Sequence, residues 1–363
     1  MKQQFVQWID MHCHLRDPGY TYKEDVQSGT AAAHAGGCYG VVAMPNTVPC
    51  IDSPQAVRDL SQRAAQAGKC RVFVSAAITK GQKGTELTDF DALHEAGAVA
   101  FTDDGRPVES AEMMRRAMEF CAKRDYLIIS HSEDLALSQG GAMNAGEVAR
   151  RLGLRGIPDS AESVAVAREV ILAAETGCRV HIAHVSTKAS LETIRTAKRL
   201  GARVSCETCP HYFVFTDSDV PRLGPNGKMN PPLRSEADRA AVTEALADGT
   251  IDCISTDHAP HAAWEKADLA TALNGITGVE TAFSVAYTYL VRSGILTLEQ
   301  LHRCMTANPA AILGIAEPND VFTFDPDAAY TVNAEDLHSK SKNTPYLGMV
   351  LYGKPIVDPS CTA

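Results

Sequence analysis

The chain has 363 residues and a mass of 38.9 kDa, with 45% hydrophobic and 21% charged residues. That balance excludes a disordered chain or a coiled coil, and the length suits one α/β barrel of about 250 residues with additions. Acids outnumber bases 44 to 34, the formal charge is −10, and no run of Lys and Arg exceeds two residues, which argues against a nucleic-acid binder. No apolar stretch approaches the roughly 18 residues of a membrane span. The start, MKQQFVQWIDMHCH, lacks the apolar core and cleavage site of a signal peptide. A soluble, cytoplasmic protein is expected.

Short apolar and β-branched runs recur at Phe5–Ile9, Tyr39–Met44, Arg71–Ile78, Ala98–Thr102, Tyr126–Ser130, Arg179–Ala183, Ala202–Cys206 and Ile251–Ser255. Helical periodicity fills most of the intervals. Ser53–Ala67 repeats apolar residues near every 3.6 positions, with Ser53 as cap and Pro54 in the first turn. Ser190–Leu200 and Glu236–Leu246 read the same way, with Gly201 and Gly249 at stop positions. Eight strands alternating with helices predict a (β/α)8 barrel of the TIM type. The main rival, a doubly wound open sheet, calls for a glycine fingerprint after the first strand, and His-Cys-His stands there instead. The eleven cysteines are odd in number and scattered from Cys13 to Cys361, which fits reduced core residues; Cys206 and Cys209 form a lone C-x-x-C, a weak zinc or redox signal.

In such a barrel, chemistry belongs where strands end. His12 and His14 follow the first run two residues apart and so face one side, a ready pair of metal ligands. Later runs lead into Asn46, Asp103-Asp104, His131, His184, and Asp257-His258 with His261. One such histidine is an ordinary core residue, but six at one rim with acids among them predict a metal cluster. An acid shared between two ions would account for more than four ligands, and two ions would hold a hydroxide, a nucleophile at neutral pH. A binuclear hydrolase is the expectation.

DMHCHLRDPG and STDHAPHAAWEK resemble the two signatures of the dihydroorotase family in the amidohydrolase superfamily. AMPNT, AFTDDG, ISHSED, HIAHVSTKAS, CPHYF, KMNPPLR and KNTPYLG resemble bacterial type I dihydroorotase in the same order, from about Val6 to Pro355. The resemblance implies that His12, His14 and Asp257 bind one zinc and His131 and His184 the other, with Asp104 and a hydroxide bridging the two. Asp103, a turn residue before Gly105, is the competing bridge. The implied reaction is the reversible conversion of L-dihydroorotate and water to N-carbamoyl-L-aspartate in pyrimidine biosynthesis. Asp257 is then general base and general acid. The resemblance gives Arg16, Asn46 and His261 the substrate carboxylate, and Asn230 and Gly275 its ring. From residue type alone, Arg16 also suits a surface salt bridge, Asn46 a turn, and Lys266 a solvated helix face. His258 is expected to orient the loop or support a ligand rather than bind metal.

Two departures from the family pattern stand out. Only eleven residues precede His12, where relatives carry part of a small β-sandwich. The expected division is therefore a barrel over residues 1–316 and a C-terminal segment over 317–363 that resembles remnant sandwich strands. A reduced or absent sandwich favours a homodimer. Leu273-Asn274 stand before Gly275 where many relatives have Pro-Phe. The alternative functions are a hydantoinase- or allantoinase-type cyclic amidase, and a non-catalytic partner of aspartate transcarbamoylase.

Overall fold

The computed structural model describes residues 2–357. Strands β1 (Gln3–Val6), β2 (Trp8–Cys13), β3 (Cys38–Ala43), β4 (Arg71–Ala76), β5 (Ala98–Phe101) and β6 (Leu127–Ser130) come first. A two-residue pair, β7 (Met143–Asn144) and β8 (Gly156–Ile157), precedes β9 (Arg179–Ile182), β10 (Val204–Thr208) and β11 (Cys253–Ile254). Eight of these make one sheet in the order β2-β3-β4-β5-β6-β9-β10-β11, every neighbouring pair parallel. A parallel bridge from Cys13 to His258 closes the ring, with His14 N donating to His258 O at 2.8 Å. The fold is a (β/α)8 barrel.

The helices form where caps and periodicity place them. Ser53 Oγ accepts from Ala56 N to open the helix Pro54–Ala67. Thr187 caps Lys188–Arg199 and Ser235 caps Glu236–Ala247. Gly201 and Gly249, at φ +85° and +79°, follow the ends of the latter two. One hydrophobic cluster packs these helices on the strands. A smaller one gathers Ile9, Met11, Val42, Ala100, Ile129 and Cys253 from five strands with Ala310 and Leu313 of the helix Asn308–Leu313.

The first apolar run does not form one strand. Phe5 lies in β1, which pairs antiparallel with β12 (Val321–Phe324), while Trp8 and Ile9 open the barrel. The physical reason is a change of partner at Gln7. Phe5 packs on Phe283 and Phe322, at centroid distances of 4.7 and 5.7 Å, whereas Trp8 Nε1 donates to Gly36 O at 2.9 Å. The other seven runs match strands to within two residues at either end.

A second antiparallel ribbon joins β13 (Ala329–Thr331) to β14 (Val350–Tyr352), and Ile356 bridges to Thr323 beside β12. The 317–363 segment supplies these strands; its residues 358–363, with Cys361, lie outside the described residues. Phe283, on the helix Ala282–Ala286, touches Phe5, Tyr287, Phe322 and Phe324 and is fully buried. Phe283→Ala is expected to lower the unfolding free energy by about 3–5 kcal/mol in a urea titration. A loss below about 1 kcal/mol would show that the ribbons are not seated by this ring.

Cys206 and Cys209 are buried free thiols. Cys206 Sγ donates to Thr250 O, and burial pushes it up to about 12. No helix among the described residues is long and apolar enough to cross a membrane.

Candidate metal centre and active site

His12, His14, Asp104, His131, His184 and Asp257 are all buried at the strand ends. Asp104 is the common member of two groups, His12–His14–Asp104 and Asp104–His131–His184, whose ligand atoms lie within 4.8 Å of one another. Its Oδ1 is 3.2 Å from both His12 Nε2 and His131 Nδ1, and its Oδ2 is 3.4 Å from His14 Nε2. Asp257 Oδ1 stands on the first side, 3.1 Å from His14 Nε2 and 3.6 Å from His12 Nε2. Asp103 turns away: it accepts from the amides of Ile78 and Thr79 at 2.8 and 3.1 Å and from the Thr79 hydroxyl.

Partners outside the cluster fix which nitrogen of each ring faces inward. His12 Nδ1 pairs with Glu207 Oε1 at 3.0 Å, His14 Nδ1 with Asn46 Oδ1 at 2.9 Å, and His131 Nε2 with Glu133 Oε2 at 2.9 Å. Each of those oxygens accepts, so each ring carries its proton outward and turns a lone pair in. His131 Nδ1 then meets His184 Nε2 at 2.9 Å. Lone pairs and carboxylates converging without protons of their own form a site for cations, and nitrogen and oxygen donors suit divalent zinc.

The charges agree. Burial works against it, yet Asp104 and Glu133 draw His131 up to about 10, and Asp104 draws His12 well above its ordinary value. Against the same burial, His14 and His12 hold Asp257 down at about 2. In the metal-free chain, protons therefore compete for the places of cations. Zinc titrated into metal-free protein in weak buffer at pH 7 is expected to release about one or more protons per ion, with affinity rising as pH rises. Binding without proton release would contradict this arrangement.

Strain marks the same residues. Arg16, His184 and Asp257 adopt positive φ, at +59°, +36° and +47°. Such backbones persist only where surrounding structure enforces them, and they cluster at functional sites.

Of the eleven residues expected to bind metal or substrate, ten line one cavity of about 250 Å3, and the eleventh, His12, is fully buried. Arg16 makes no salt bridge among the described residues, so it is not the surface ion pair its type allowed. Its Nε donates to Pro260 O at 3.1 Å, and Nη2 lies 3.4 Å from His261 Nε2. Asn46 Nδ2 reaches Asp104 Oδ2 at 3.4 Å, and Asn230 Nδ2 donates to Glu133 Oε2 at 2.9 Å. Gly275, at φ +131°, leaves no room for a side chain: a Cβ there would sit 2.6 Å from Ala259 Cβ. Leu273 and Asn274 also line the wall. His258 accepts from Gly278 N at 3.2 Å through Nδ1 and faces Glu24, which makes it a loop support.

Lys266 is not solvated. It is buried, and its three N–H bonds reach the carbonyls of Lys228, Leu273 and Gly275 at 2.9, 2.9 and 3.0 Å, tying together the cavity wall. The sequence reading gives no role to Glu207 or Glu133, and it places Lys266 on a solvated face. Glu207 had a signal: it directly follows the run Ala202–Cys206, the strand-end position where the other polar residues of the site stand.

A family model described as dihydro-orotase-like matches residues 4–190. The chain belongs to the dihydroorotase family. Curated relatives named dihydroorotase include one from Geobacter metallireducens, 50% identical over 353 residues that cover 95% of this chain and 83% of that protein. Another, from Bacillus caldolyticus, is 48% identical over 357 residues, covering 96% and 84%. Among solved structures, L-hydantoinase from Arthrobacter aurescens superposes with a TM-score of 0.88 at 27% identity, over 98% of this chain and 83% of that one. Dihydropyrimidinase from Brevibacillus agri NCHU1002 matches at 0.83 and 20% identity over 98% and 83%, a likeness of fold.

Proposed function

We propose that the chain is a dihydroorotase that interconverts L-dihydroorotate plus water and N-carbamoyl-L-aspartate with two zinc ions. His12, His14 and Asp257 would hold one and His131 and His184 the other, with Asp104 common to both groups. The supporting observation is the composition of the cavity. A His/Asp cluster that could hold cations and the donors of Arg16 and His261, suited to an anion, line the same cavity of about 250 Å3. When bound, the ion pair supplies an activated water and polarises the scissile carbonyl. Asp257, kept ionised by its histidines, takes the proton from the attacking water and returns it to the ring nitrogen as the C–N bond breaks. Cyclisation reverses these steps. Arg16 offers the substrate carboxylate a planar fork of donors, and Asn230 and Gly275 bound the ring.

Removal of metal with a chelator is expected to abolish turnover, and two equivalents of zinc to restore it. Unchanged turnover in the chelated protein would overturn the proposal. We also infer a homodimer, supported by Val164, Ile171 and Leu200, which are 53%, 64% and 83% exposed on and beside the helices Ser160–Thr176 and Lys188–Arg199. Sedimentation equilibrium reads the assembly, and a monomer would leave aspartate transcarbamoylase as the partner to test on that face.

A further inference from the structure

His261 Nε2 lies 2.7 Å from the carbonyl oxygen of Asn274. A carbonyl can only accept, so this nitrogen carries the proton. Burial, together with Arg16, pushes the imidazole down to about 3, so the ring is neutral and Nδ1 is a bare acceptor. The group 3.3 Å from Nδ1 is the ammonium of Lys23, which can only donate. Lys23 is itself buried and held at 2.8 Å by Glu265 Oε1. Glu265 is fixed in turn by the Tyr22 hydroxyl at 3.0 Å and the Ala262 amide at 2.9 Å.

On the cavity side, Arg16 Nη2 stands 3.4 Å from the same Nε2. Both nitrogens are donors, so they cannot satisfy each other; a carboxylate that reaches both takes an N–H of Arg16 and shares the Nε2 proton with Asn274 O in a three-centre bond. We propose that Lys23 is a positioning residue that locks His261 in its Nε2–H form, so that imidazole and guanidinium present donors side by side to the substrate carboxylate. This rests on the dihydroorotase reading. Without Lys23, the alternative Nδ1–H form can donate toward Glu265 Oε2, 3.5 Å away, and would turn a lone pair on the substrate anion.

The test reads ring-nitrogen protonation by 15N–1H NMR in the zinc-loaded protein, with His261→Gln to assign the signals. The wild-type ring is expected as Nε2–H. Lys23→Met should populate Nδ1–H and raise KM for L-dihydroorotate about tenfold, with kcat within about twofold and zinc content unchanged. Lys23→Arg should keep the tautomer and most of the affinity. Should Lys23→Met fail to fold because Glu265 is left unpaired, Lys23→Met/Glu265→Gln removes that charge and should show the same two changes. An Nδ1–H ring in the wild type, or a folded Lys23 variant to Met with unchanged tautomer or unchanged KM, would overturn the proposal. The tautomer is read without substrate, so a chain inactive toward L-dihydroorotate would sink the substrate reading and leave this measurement decisive for Lys23.

Discussion

Asp257→Asn is expected to cost about 10³- to 10⁴-fold or more in kcat while leaving the barrel folded. The carboxylate stands 3.1 Å from His14 Nε2 and 3.6 Å from His12 Nε2, held ionised at the edge of the cation-binding cluster. An amide of the same size keeps one oxygen but cannot take up and return a proton. The substitution is mild for the backbone, because Asp257 sits at φ +47°, a region that Asn tolerates nearly as well. Loss of activity with unchanged circular dichroism, melting temperature and zinc content therefore isolates the chemistry. A variant retaining more than about a tenth of wild-type kcat would remove Asp257 from the proton-transfer role.

The adjacent acids Asp103 and Asp104 should give opposite results. Asp104→Ala removes the oxygens shared by the two histidine groups, so zinc content measured by mass spectrometry should fall to about one ion or none, with turnover lost. Asp103→Ala instead leaves the amides of Ile78 and Thr79 and the Thr79 hydroxyl without their acceptor. It should cost about 2–4 kcal/mol of stability, and the protein that folds should still bind two zinc ions. Metal loss in the Asp103 variant with full occupancy in the Asp104 variant would exchange the two roles.

This pair also marks the reach of the sequence. The strand and helix alternation was legible because each element announces itself within a dozen residues, and the metal-type histidines because they fall just past the strands. Asp103 and Asp104 are neighbours in one turn, and only the packing of Ile78–Thr79 decides which of them faces the cluster. The groups that orient the ligands were hidden by distance along the chain: Glu207 lies 195 residues from His12, and Lys23 lies 238 from His261. Lys266 reads as an ordinary helix-surface lysine until three carbonyls close around it. The split of the first run at Gln7 was hidden for the same reason, since its partner strand β12 lies at the other end of the sequence.

One cavity joins the His/Asp cluster proposed to hold the metal ions to Arg16 and His261, proposed to hold the substrate carboxylate. Comparing kcat/KM of the zinc-loaded chain for L-dihydroorotate and for dihydrouracil, the same ring without the carboxylate, tests both halves at once. Turnover of L-dihydroorotate is expected with at least about a hundredfold preference over dihydrouracil, the loss expected when a charged hydrogen-bonding cradle is left unfilled. Equal turnover of the two, or a preference for dihydrouracil or hydantoin, would contradict it.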